Sequence, residues 1–404
     1  MGVNVNPNSR QSGGQSLSII WIIAGALGII FGGLLIGTLA PLVLPVQASA
    51  ESRQVDSLFR FMLVIGGAIF LLVIGALVYS IIAYQGQTWR PVRWSADSRQ
   101  LHPGNRLDPH PGGDRHHPDD LQLPGLDQHP HCARDNQDVG VVAQRFAWSF
   151  NYAITPETLP PDVSIDMLEE PVRTALTSEG GLRFSNQQLH TWVGQQVEAK
   201  IRSEDVNHAF WIPAMRIKQD ALPGRETSIT FTPIEAGTYR IVCAELCGAG
   251  HGDMAGTTIL LGGGEVELRG AWLVVHPDEQ TYLEEFYDVE AVKVLFPPED
   301  PVERGRRLLE SGAYPCATCH APTDMNWVGN IGPNLNNIGT RANTRVAGQT
   351  ALEYLHTSIR NPGVYLVPGY GNLMPQFNDE PSEPNYMPEE DLNAIIEFLL
   401  TQTQ

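Results

Sequence analysis

The sequence predicts a membrane protein of several domains: an N-terminal transmembrane α-helical anchor, a domain built from β-strands, and an all-α C-terminal domain. Three observations lead to this prediction. The first 90 residues hold two long uncharged apolar runs, apolar residues alternate over 197–201, and helix-like segments surround a cysteine motif near residue 316. A chain of 404 residues has room for two or three domains of ordinary size.

The composition excludes several classes of protein. Lys and Arg number 26 against 45 Asp and Glu, and the net charge of −19 argues against a nucleic-acid partner. Hydrophobic residues make up 42% of the chain, and the 39 Gly and 30 Pro follow no fixed period. This argues against collagen and against low-complexity disorder, so we expect folded domains.

Two apolar runs predict the anchor. The first covers 19–46 and the second 61–84, and each exceeds the roughly 20 residues that a helix needs to cross a membrane. Residues 46–50 (Val-Gln-Ala-Ser-Ala) are typical of a signal-peptide cleavage site. We therefore expect 1–50 to be a signal peptide or a first transmembrane segment, and 51–93 to be a transmembrane helix with its flanks.

The charges beside the second run predict its orientation. Three arginines follow the run and two precede it, so the positive-inside rule places the residues after it in the cytoplasm. The downstream domains are expected outside the cell, because their cofactor motifs suit an exported protein. A further crossing is then needed between residues 90 and 140, and the sequence offers none there.

Residues 94–138 form an anomalous window rich in His, Pro and Asp, which holds six of the 12 histidines. Three interpretations stay open: a solvated disordered loop, a His-rich metal tract, and out-of-frame translation that replaces a second transmembrane helix. The histidines of a metal tract would be His110, His116, His117, His129 and His131. No role is assigned to Cys132, which lies in the same window.

The other four cysteines form two close pairs, and in an exported protein such a pair can be a disulfide. The second pair, however, lies in Cys316-Ala-Thr-Cys319-His320, the signature of covalent haem c attachment. The thiols would bind the haem, and His320 would be an axial ligand of the iron. The segments around it are helix-like, and 389–400 is predicted to be a helix with one apolar face. With these segments, the region resembles a class I cytochrome c. In that resemblance Met374 matches the sixth ligand, and Met387 is the competing candidate.

The first pair lies in a segment of twelve residues from Cys243 to Met254, together with Cys247 and His251. Thiolate, imidazole and thioether form a soft ligand set, which favours copper over Mg or Ca. His208, close to the alternating residues 197–201, supplies a second imidazole. A zinc site and a plain disulfide are the alternatives at this point.

Residues 190–260 resemble the cupredoxin domain of cytochrome c oxidase subunit II, which carries the dinuclear copper centre CuA. The resemblance rests on four segments: 206–213 (Val-Asn-His-Ala-Phe-Trp-Ile-Pro), 220–225 (Asp-Ala-Leu-Pro-Gly-Arg), 237–239 (Gly-Thr-Tyr) and 243–254. It implies a β-sandwich fold. The implied ligands of the two coppers are His208, Cys243, Glu245 through its carbonyl, Cys247, His251 and Met254.

The resemblance also implies roles around the copper centre. The carboxylate of Glu245 matches a ligand of a Mg site shared with subunit I, and Asp220 and Arg225 match a network at that subunit interface. Upstream, 141–150 resembles the first cupredoxin strand, where an aromatic residue passes electrons to copper. Phe146 and Trp148 are therefore candidates for electron transfer, with a purely structural buried strand as the alternative.

The anchor resembles the same family, whose members continue with a second helix opened by Gly-Asn, Leu-Glu and Trp. This chain shows Gly104, Asn105 and Leu107, then departs until Val141. The abrupt loss and recovery of the resemblance is the reason for considering a frame error.

The whole resembles subunit II of a caa-type haem–copper oxidase. We expect a CuA cupredoxin domain at 139–278, a linker at 279–300 and a cytochrome c domain at 301–404. The resemblance implies electron transfer from haem c to CuA and on to the haem of subunit I, where oxygen is reduced. The chain would thus be a component of a proton-translocating oxidoreductase of the respiratory chain, with no catalytic residue of its own.

The resemblance also implies the surroundings of the chain. Its expected partners are subunit I, other oxidase subunits and a donor such as a cytochrome c or an upstream respiratory complex. Its expected location is the bacterial plasma membrane, with both soluble domains on the outer side. The alternatives are the CuA subunit of a nitric oxide reductase and a copper-delivery or thiol-redox assembly protein.

Sequencing the encoding DNA across codons 90–142 tests the frame-error interpretation. We expect another reading frame to encode an apolar run of about 20 residues, flanked by Leu-Glu and Trp, because a membrane crossing needs that length. If no frame encodes such a run, the window is genuine and the interpretation is wrong.

Overall fold

A computed structural model of the chain describes residues 13–84, 136–178, 181–260, 266–322, 325, 327, 329, 331–380 and 383–403. The described residues fall into two units, one formed by the residues up to 43 with 59–84, the other by 44–58 with the residues from 136 on. Most of the anomalous window 94–138, including its histidines and Cys132, lies outside the described residues. Its last two residues open the first strand.

The first unit consists of two long apolar helices, α1 (Gly13–Leu39) and the greater part of α2 (Ala50–Tyr84). Both contain a stretch long and apolar enough to cross a membrane, Trp21–Leu42 and Ala50–Ile82. Most of their large apolar side chains are exposed, as expected for side chains that face lipid. The two helices fit the predicted membrane anchor.

The contact between α1 and α2 depends on small residues. A Cβ atom on Gly33 would lie 2.6 Å from the carbonyl oxygen of Val64 and 3.1 Å from the Cβ of Ala68. Gly37, one turn later, lies against the side chain of Val64. Glycines at such positions let the backbones of two apolar helices approach closely, which is how helices commonly pair in membranes.

The second unit begins with a β-sandwich. Its strands are β1 Gln137–Gln144, β2 Ala147–Ile154, β3 Leu182–Asn186, β4 Leu189–Trp192, β5 Val197–Ser203, β6 His208–Ile212, β7 Ile217–Ala221, β8 Thr227–Phe231, β9 Gly237–Arg240, β10 Val242–Cys243, β11 Thr257–Leu260, β12 Val266–Arg269 and β13 Trp272–His276. A short helix, α3 (Glu170–Thr177), connects β2 to β3.

The strands form one five-stranded sheet and three smaller ones. The order in the large sheet is β3-β2-β1-β5-β8, and the smaller sheets are β4-β13-β9, β10-β6-β7 and the hairpin β11-β12. In β5, Val197, Ala199 and Ile201 are fully buried while Glu198 and Lys200 are only partly buried. The alternation predicted for this strand is therefore present, because successive side chains of a strand point to opposite faces.

The segment expected to be a linker, 279–300, is mostly helical. It consists of α4 (Glu279–Tyr282), a π-helical turn (Leu283–Tyr287) and α5 (Asp288–Leu295). Its aromatic side chains Tyr282, Phe286 and Tyr287 are buried in the same hydrophobic core as the strands. Most of this segment thus extends the β-domain, because these large apolar surfaces are removed from water only against the strands.

The remainder of the chain is helical and has a hydrophobic core of its own. Its helices are α6 Pro301–Glu310, α7 Cys316–Cys319, α8 Ile338–Arg341, α9 Ala351–Arg360 and α10 Glu389–Thr401. The apolar face predicted for 389–400 is buried at Leu392, Ile395, Ile396 and Leu399. Where α6 crosses α10, Gly305 lies against the backbone of Ala394, so that any side chain there would collide with it.

A pair of histidines links the β-domain to the π-helical turn. His190 in β4 and His276 in β13 approach to 3.0 Å between Nδ1 and Nε2, and the ring of His190 stacks on Phe286 with a centroid distance of 3.7 Å. Burial and the neighbouring His276 lower the pKa of His190 to about 3. Burial also lowers the pKa of His276, which outweighs the opposite effect of Glu285 and Asp278.

This pair predicts a loss of stability in acid. An unfolded histidine has a pKa of about 6.5, so between that pH and about 3 the unfolded chain binds more protons than the folded one. The stability present above about pH 6.5 is therefore lost as the pH falls. We expect the thermal midpoint to fall less between about pH 7 and pH 4.5 in His190→Gln than in the wild type. The control is His356→Gln, which replaces a partly exposed histidine of the helical region. An equal fall of the thermal midpoint in all three proteins would contradict the prediction.

Candidate metal centre

The pairing of two short strands positions the first part of the candidate centre. β10 runs antiparallel to β6, with Cys243 opposite Phe210. This register places Cys243 close to His208, two residues before Phe210 on the same strand. The chain then turns back through a loop and a short 3-10 helix, His251–Met254, which returns the remaining ligand candidates to the same place.

The side chains predicted to bind copper converge here. The ligand atoms of His208, Cys243 and Cys247 all lie within 4.8 Å of one another. The contacts of the group are 3.8 Å from His208 Nδ1 to Cys243 Sγ, 3.5 Å from His251 Nδ1 to Cys247 Sγ, 3.4 Å from Cys247 Sγ to Met254 Sδ, and 3.2 Å from Cys243 Sγ to the carbonyl oxygen of Glu245.

The environment of the two thiols fits a bound soft cation. Burial opposes ionisation of Cys243, but hydrogen bonds from His208 and the backbone outweigh it and lower the pKa of this thiol. Burial and the charge of Cys243 raise the pKa of Cys247 to about 12. A cation bound beside them would favour the thiolate form of both residues. The four cysteines among the described residues are free thiols, so neither pair forms a disulfide there.

Asp205 supports the site, although the sequence did not single it out. Its Oδ1 lies 2.9 Å from His208 Nε2, and its Oδ2 accepts hydrogen bonds from the backbone N and the Nε of Arg145, at 2.8 and 3.0 Å. Burial opposes its ionisation, yet these bonds lower the pKa of Asp205 to about 2. The carboxylate thus holds one ring nitrogen of His208 and leaves Nδ1 facing Cys243. An acidic residue three positions before a ligand histidine is the sequence signal that could have indicated this.

Both aromatic candidates for electron transfer lie beside the ligands. The ring of Phe146 packs on the ligand loop, where a Cβ on Gly250 would be only 2.6 Å from it. The ring of Trp148 meets that of His208 edge-on, with centroids 6.1 Å apart, and its buried Nε1 has no hydrogen-bond partner among the described residues. Residues 141–150, which were expected to form one strand, are the end of β1, a turn at Arg145 and Phe146, and the start of β2. Most of them are buried, as either interpretation of this segment requires.

The residues predicted for a subunit interface lie outside this buried cluster. The side chains of Asp220, Arg225 and Glu245 are all exposed. Asp220 lies in β7, opposite Ala209 of β6, and Arg225 follows in the turn after that strand. Exposed polar groups beside the ligand loop are available to a partner chain.

The cysteine motif of the helical region lines an apolar cavity. Cys316, Cys319, His320 and Met374 all face it, whereas Met387 is not among its lining residues and is buried in the helical core. His320 Nδ1 lies 2.8 Å from the carbonyl oxygen of Pro333, which accepts its hydrogen. The other ring nitrogen is then free to bind a metal. The residues present fit a covalently attached haem, with one histidine and one thioether as axial ligands.

One side chain connects the cavity with the metal centre. Ile331, which the sequence did not single out, lines the cavity, and its Cδ1 lies 2.6 Å from where a Cβ on Gly250 would be. Phe146 packs on the same glycine. Ile331 therefore lies between the cavity and the loop that carries the ligand candidates.

Comparison with known proteins agrees with this geometry. Residues 139–259 match the family described as cytochrome C oxidase subunit II, periplasmic domain. Cytochrome c oxidase subunit 2 of Synechocystis sp. is 27% identical over 252 residues, covering 52% of this chain and 70% of the relative. The protein of the same name from Thermostichus vulcanus is 29% identical over 239 residues, covering 52% and 72%.

Solved structures give a weaker likeness. The periplasmic domain of subunit II of cytochrome oxidase from Bradyrhizobium japonicum is 19% identical, with a TM-score of 0.26, and covers 40% of this chain and 98% of that domain. The relatives named above are subunits of an oxidoreductase complex. Over residues 139–259, this chain is similar to the periplasmic domain of cytochrome c oxidase subunit II.

Proposed function

We propose that the chain is the electron-input subunit of a caa-type haem–copper cytochrome c oxidase. Electrons pass from haem c to CuA and on to the haem of subunit I, where oxygen is reduced. The observation that carries the proposal is the convergence of two thiols, two imidazole Nδ1 atoms, a thioether and a carbonyl oxygen inside the segment that matches the family.

The protein contributes a set of ligands that is held rigidly and shielded from water. When bound, a dinuclear copper centre supplies one-electron chemistry with the charge shared between two metals. The residues that would hold it are Cys243, Cys247, His208, His251, Met254 and, through its carbonyl oxygen, Glu245. The ligands lie on short segments anchored by β6 and β10, and Asp205 fixes the orientation of one imidazole. Little of the site needs to move when the charge changes.

The helical region would hold haem c. Cys316 and Cys319 would hold the haem covalently, and His320 and Met374 would be the protein ligands of its iron. A Cβ on Gly332 would lie 2.7 Å from Cε1 of His320, so glycine is needed there for the ring to keep its hydrogen bond to Pro333. The contact of Ile331 with Gly250 supports electron transfer between the two centres within the chain.

The partners and the location follow from the same proposal. Subunit I receives the electron, and the exposed Asp220, Arg225 and Glu245 are available to face it, with a shared Mg at Glu245. The donor to haem c is a cytochrome c or an upstream respiratory complex. The two apolar helices anchor the chain in a bacterial plasma membrane, with the β-domain and the helical domain on its outer side.

Metal analysis of the purified membrane complex, combined with gas consumption, tests this function. We expect two coppers and one haem iron per chain, together with oxygen uptake. One copper and no haem iron would instead indicate a copper-delivery or thiol-redox protein. Consumption of nitric oxide without oxygen uptake would identify a nitric oxide reductase.

The support that Asp205 gives His208 predicts a loss of copper affinity in Asp205→Asn. An amide accepts hydrogen bonds from Arg145 and His208 less strongly than a carboxylate, so the imidazole is held less firmly. We expect copper affinity to fall about 10- to 100-fold. Competition with a copper chelator measures the change. Asp138→Asn, which removes an exposed ion pair with Lys200 in the same sheet, is the control and should bind copper like the wild type.

The two methionines predict different outcomes in the helical domain. Met374→Leu removes the thioether from the cavity, so we expect the midpoint potential of haem c to fall by roughly 0.1 V or more, within the ~0.8 V range that axial ligands span. Met387→Leu changes only core packing and should leave the potential nearly unchanged. Redox titration of both variants distinguishes them, and the reverse result would make Met387 the ligand.

A further inference from the structure

The segment between α1 and α2 is integrated into the β-domain. Ala48 and Ser49 are completely buried, at 0% exposure. The backbone N of Ala48 donates to the carbonyl of Ala214 at 3.0 Å, and the carbonyl of Ala48 accepts from the backbone N of Ile234 at 2.9 Å. The segment therefore lies between the turn after β6 and the end of β8, in the manner of an added strand.

Side chains of the same segment complete the contact. Ser49 Oγ donates to the carbonyl of Met215 at 3.0 Å and accepts from the backbone N of Ser52 at the same distance. Ser52 Oγ donates to the carbonyl of Ser49 at 2.7 Å. Small side chains are needed here because Ala48, Ser49 and Ser52 are all enclosed, with no exposed surface left. The same small residues gave the segment its likeness to a cleavage site.

Arg216 holds both ends of this segment. Its guanidinium forms a two-bond ion pair with Asp56 in α2, with N–O distances of 2.7 and 2.8 Å. It also donates to the carbonyl of Pro45 at 2.7 Å and to that of Val46 at 3.2 Å. The ion pair is enclosed, with 10% and 5% of the two side chains exposed. A buried arginine that donates this many hydrogen bonds to one segment indicates a specific contact.

We infer that residues 45–56 are a permanent strap of the β-domain and that the Ala-Ser-Ala sequence within them is not a processing site. A cut after Ala48 would place a new charged amino group at Ser49, which is fully buried, and burial of an unpaired charge is strongly unfavourable. A cut after Ala50 would remove the buried Ala48 and Ser49 altogether. Either cut would leave Arg216 without two of its acceptors.

Of the two expectations for residues 1–50, a signal peptide and a first transmembrane segment, the inference keeps only the second. A signal peptide that ends at residue 50 would take half of the strap with it. The mature chain instead keeps every residue from Pro45 on, and the strap ties the first turns of α2 to the β-domain.

Mass spectrometry of the mature wild-type protein from membranes tests the inference directly. After digestion with trypsin, we expect a peptide that ends at Arg53 and includes Pro45 to Ala50, in the same molar amount as peptides from the β-domain. A mature N-terminus at Ser49 or Glu51 would overturn the inference. This measurement needs no variant, and its result does not depend on copper, haem or oxidase activity.

A variant tests the role of Arg216. We expect Arg216→Gln in the full-length membrane protein to raise the rate of limited proteolysis within 45–56 by about tenfold or more, because a buried ion pair that loses one partner leaves an uncompensated charge. The matched control is Lys200→Gln, which removes the exposed ion pair with Asp138 and should change that rate less than about twofold. Equal rates in Arg216→Gln and the wild type would show that Arg216 does not hold the strap.

Discussion

The functional geometry of this chain depends on the antiparallel pairing of β6 with β10. That pairing brings one imidazole and one thiol to the same point, although 35 positions separate His208 from Cys243. The other ligand candidates lie on the loop that follows Cys243, and a tight turn of this loop brings them to the same point. A shift of register by one residue would turn Cys243 to the opposite face of its strand, so the strands and not the loop determine whether a centre forms.

The surroundings of this pairing restrict its motion. Asp205 bonds to the ring nitrogen of His208 that faces away from Cys243 and is itself bound to Arg145. One carboxylate therefore joins the turn between β1 and β2, which carries Phe146, to the strand that carries His208. Trp148 and Phe210 fill the space next to the ligands and keep water out. An electron carrier benefits from such an enclosure, because few dipoles are free to reorient when the charge on the metals changes.

The sequence predicted what depends on neighbouring residues and missed what depends on distant ones. The ligand loop, the haem motif and α10 could be predicted because their residues follow one another at fixed spacing. His208 was predicted from its place close to the alternating residues 197–201. Ile331 and Arg216 could not be predicted, because each acts through a contact with residues far along the chain. Asp205 lies only three positions before His208, but its bonds to Arg145 join residues 60 positions apart.

The buried aromatic residues of the segment expected to be a linker, 279–300, are a similar case. The residues of 282–287 have no apolar period that distinguishes them from an exposed helix, and their importance appears only where Tyr282, Phe286 and Tyr287 meet the strands. Cleavage after residue 50 was considered for the opposite reason. The short pattern of small residues is real, but its meaning depends on whether the segment is extended in solvent or buried against Met215 and Arg216.

The strap also bears on the membrane topology that we propose. Because Asp56 is bound to Arg216, the N-terminal end of α2 is on the same side of the membrane as the β-domain. A helix that crosses from there ends, at Tyr84, on the opposite side. The arginines that follow are those which the positive-inside rule assigns to the cytoplasm, so the ion pair and the arginines together support the proposed outer location of the β-domain. The further crossing expected from the sequence between residues 90 and 140 falls outside the described residues. The reading frame of that window is therefore a question about topology as well as composition.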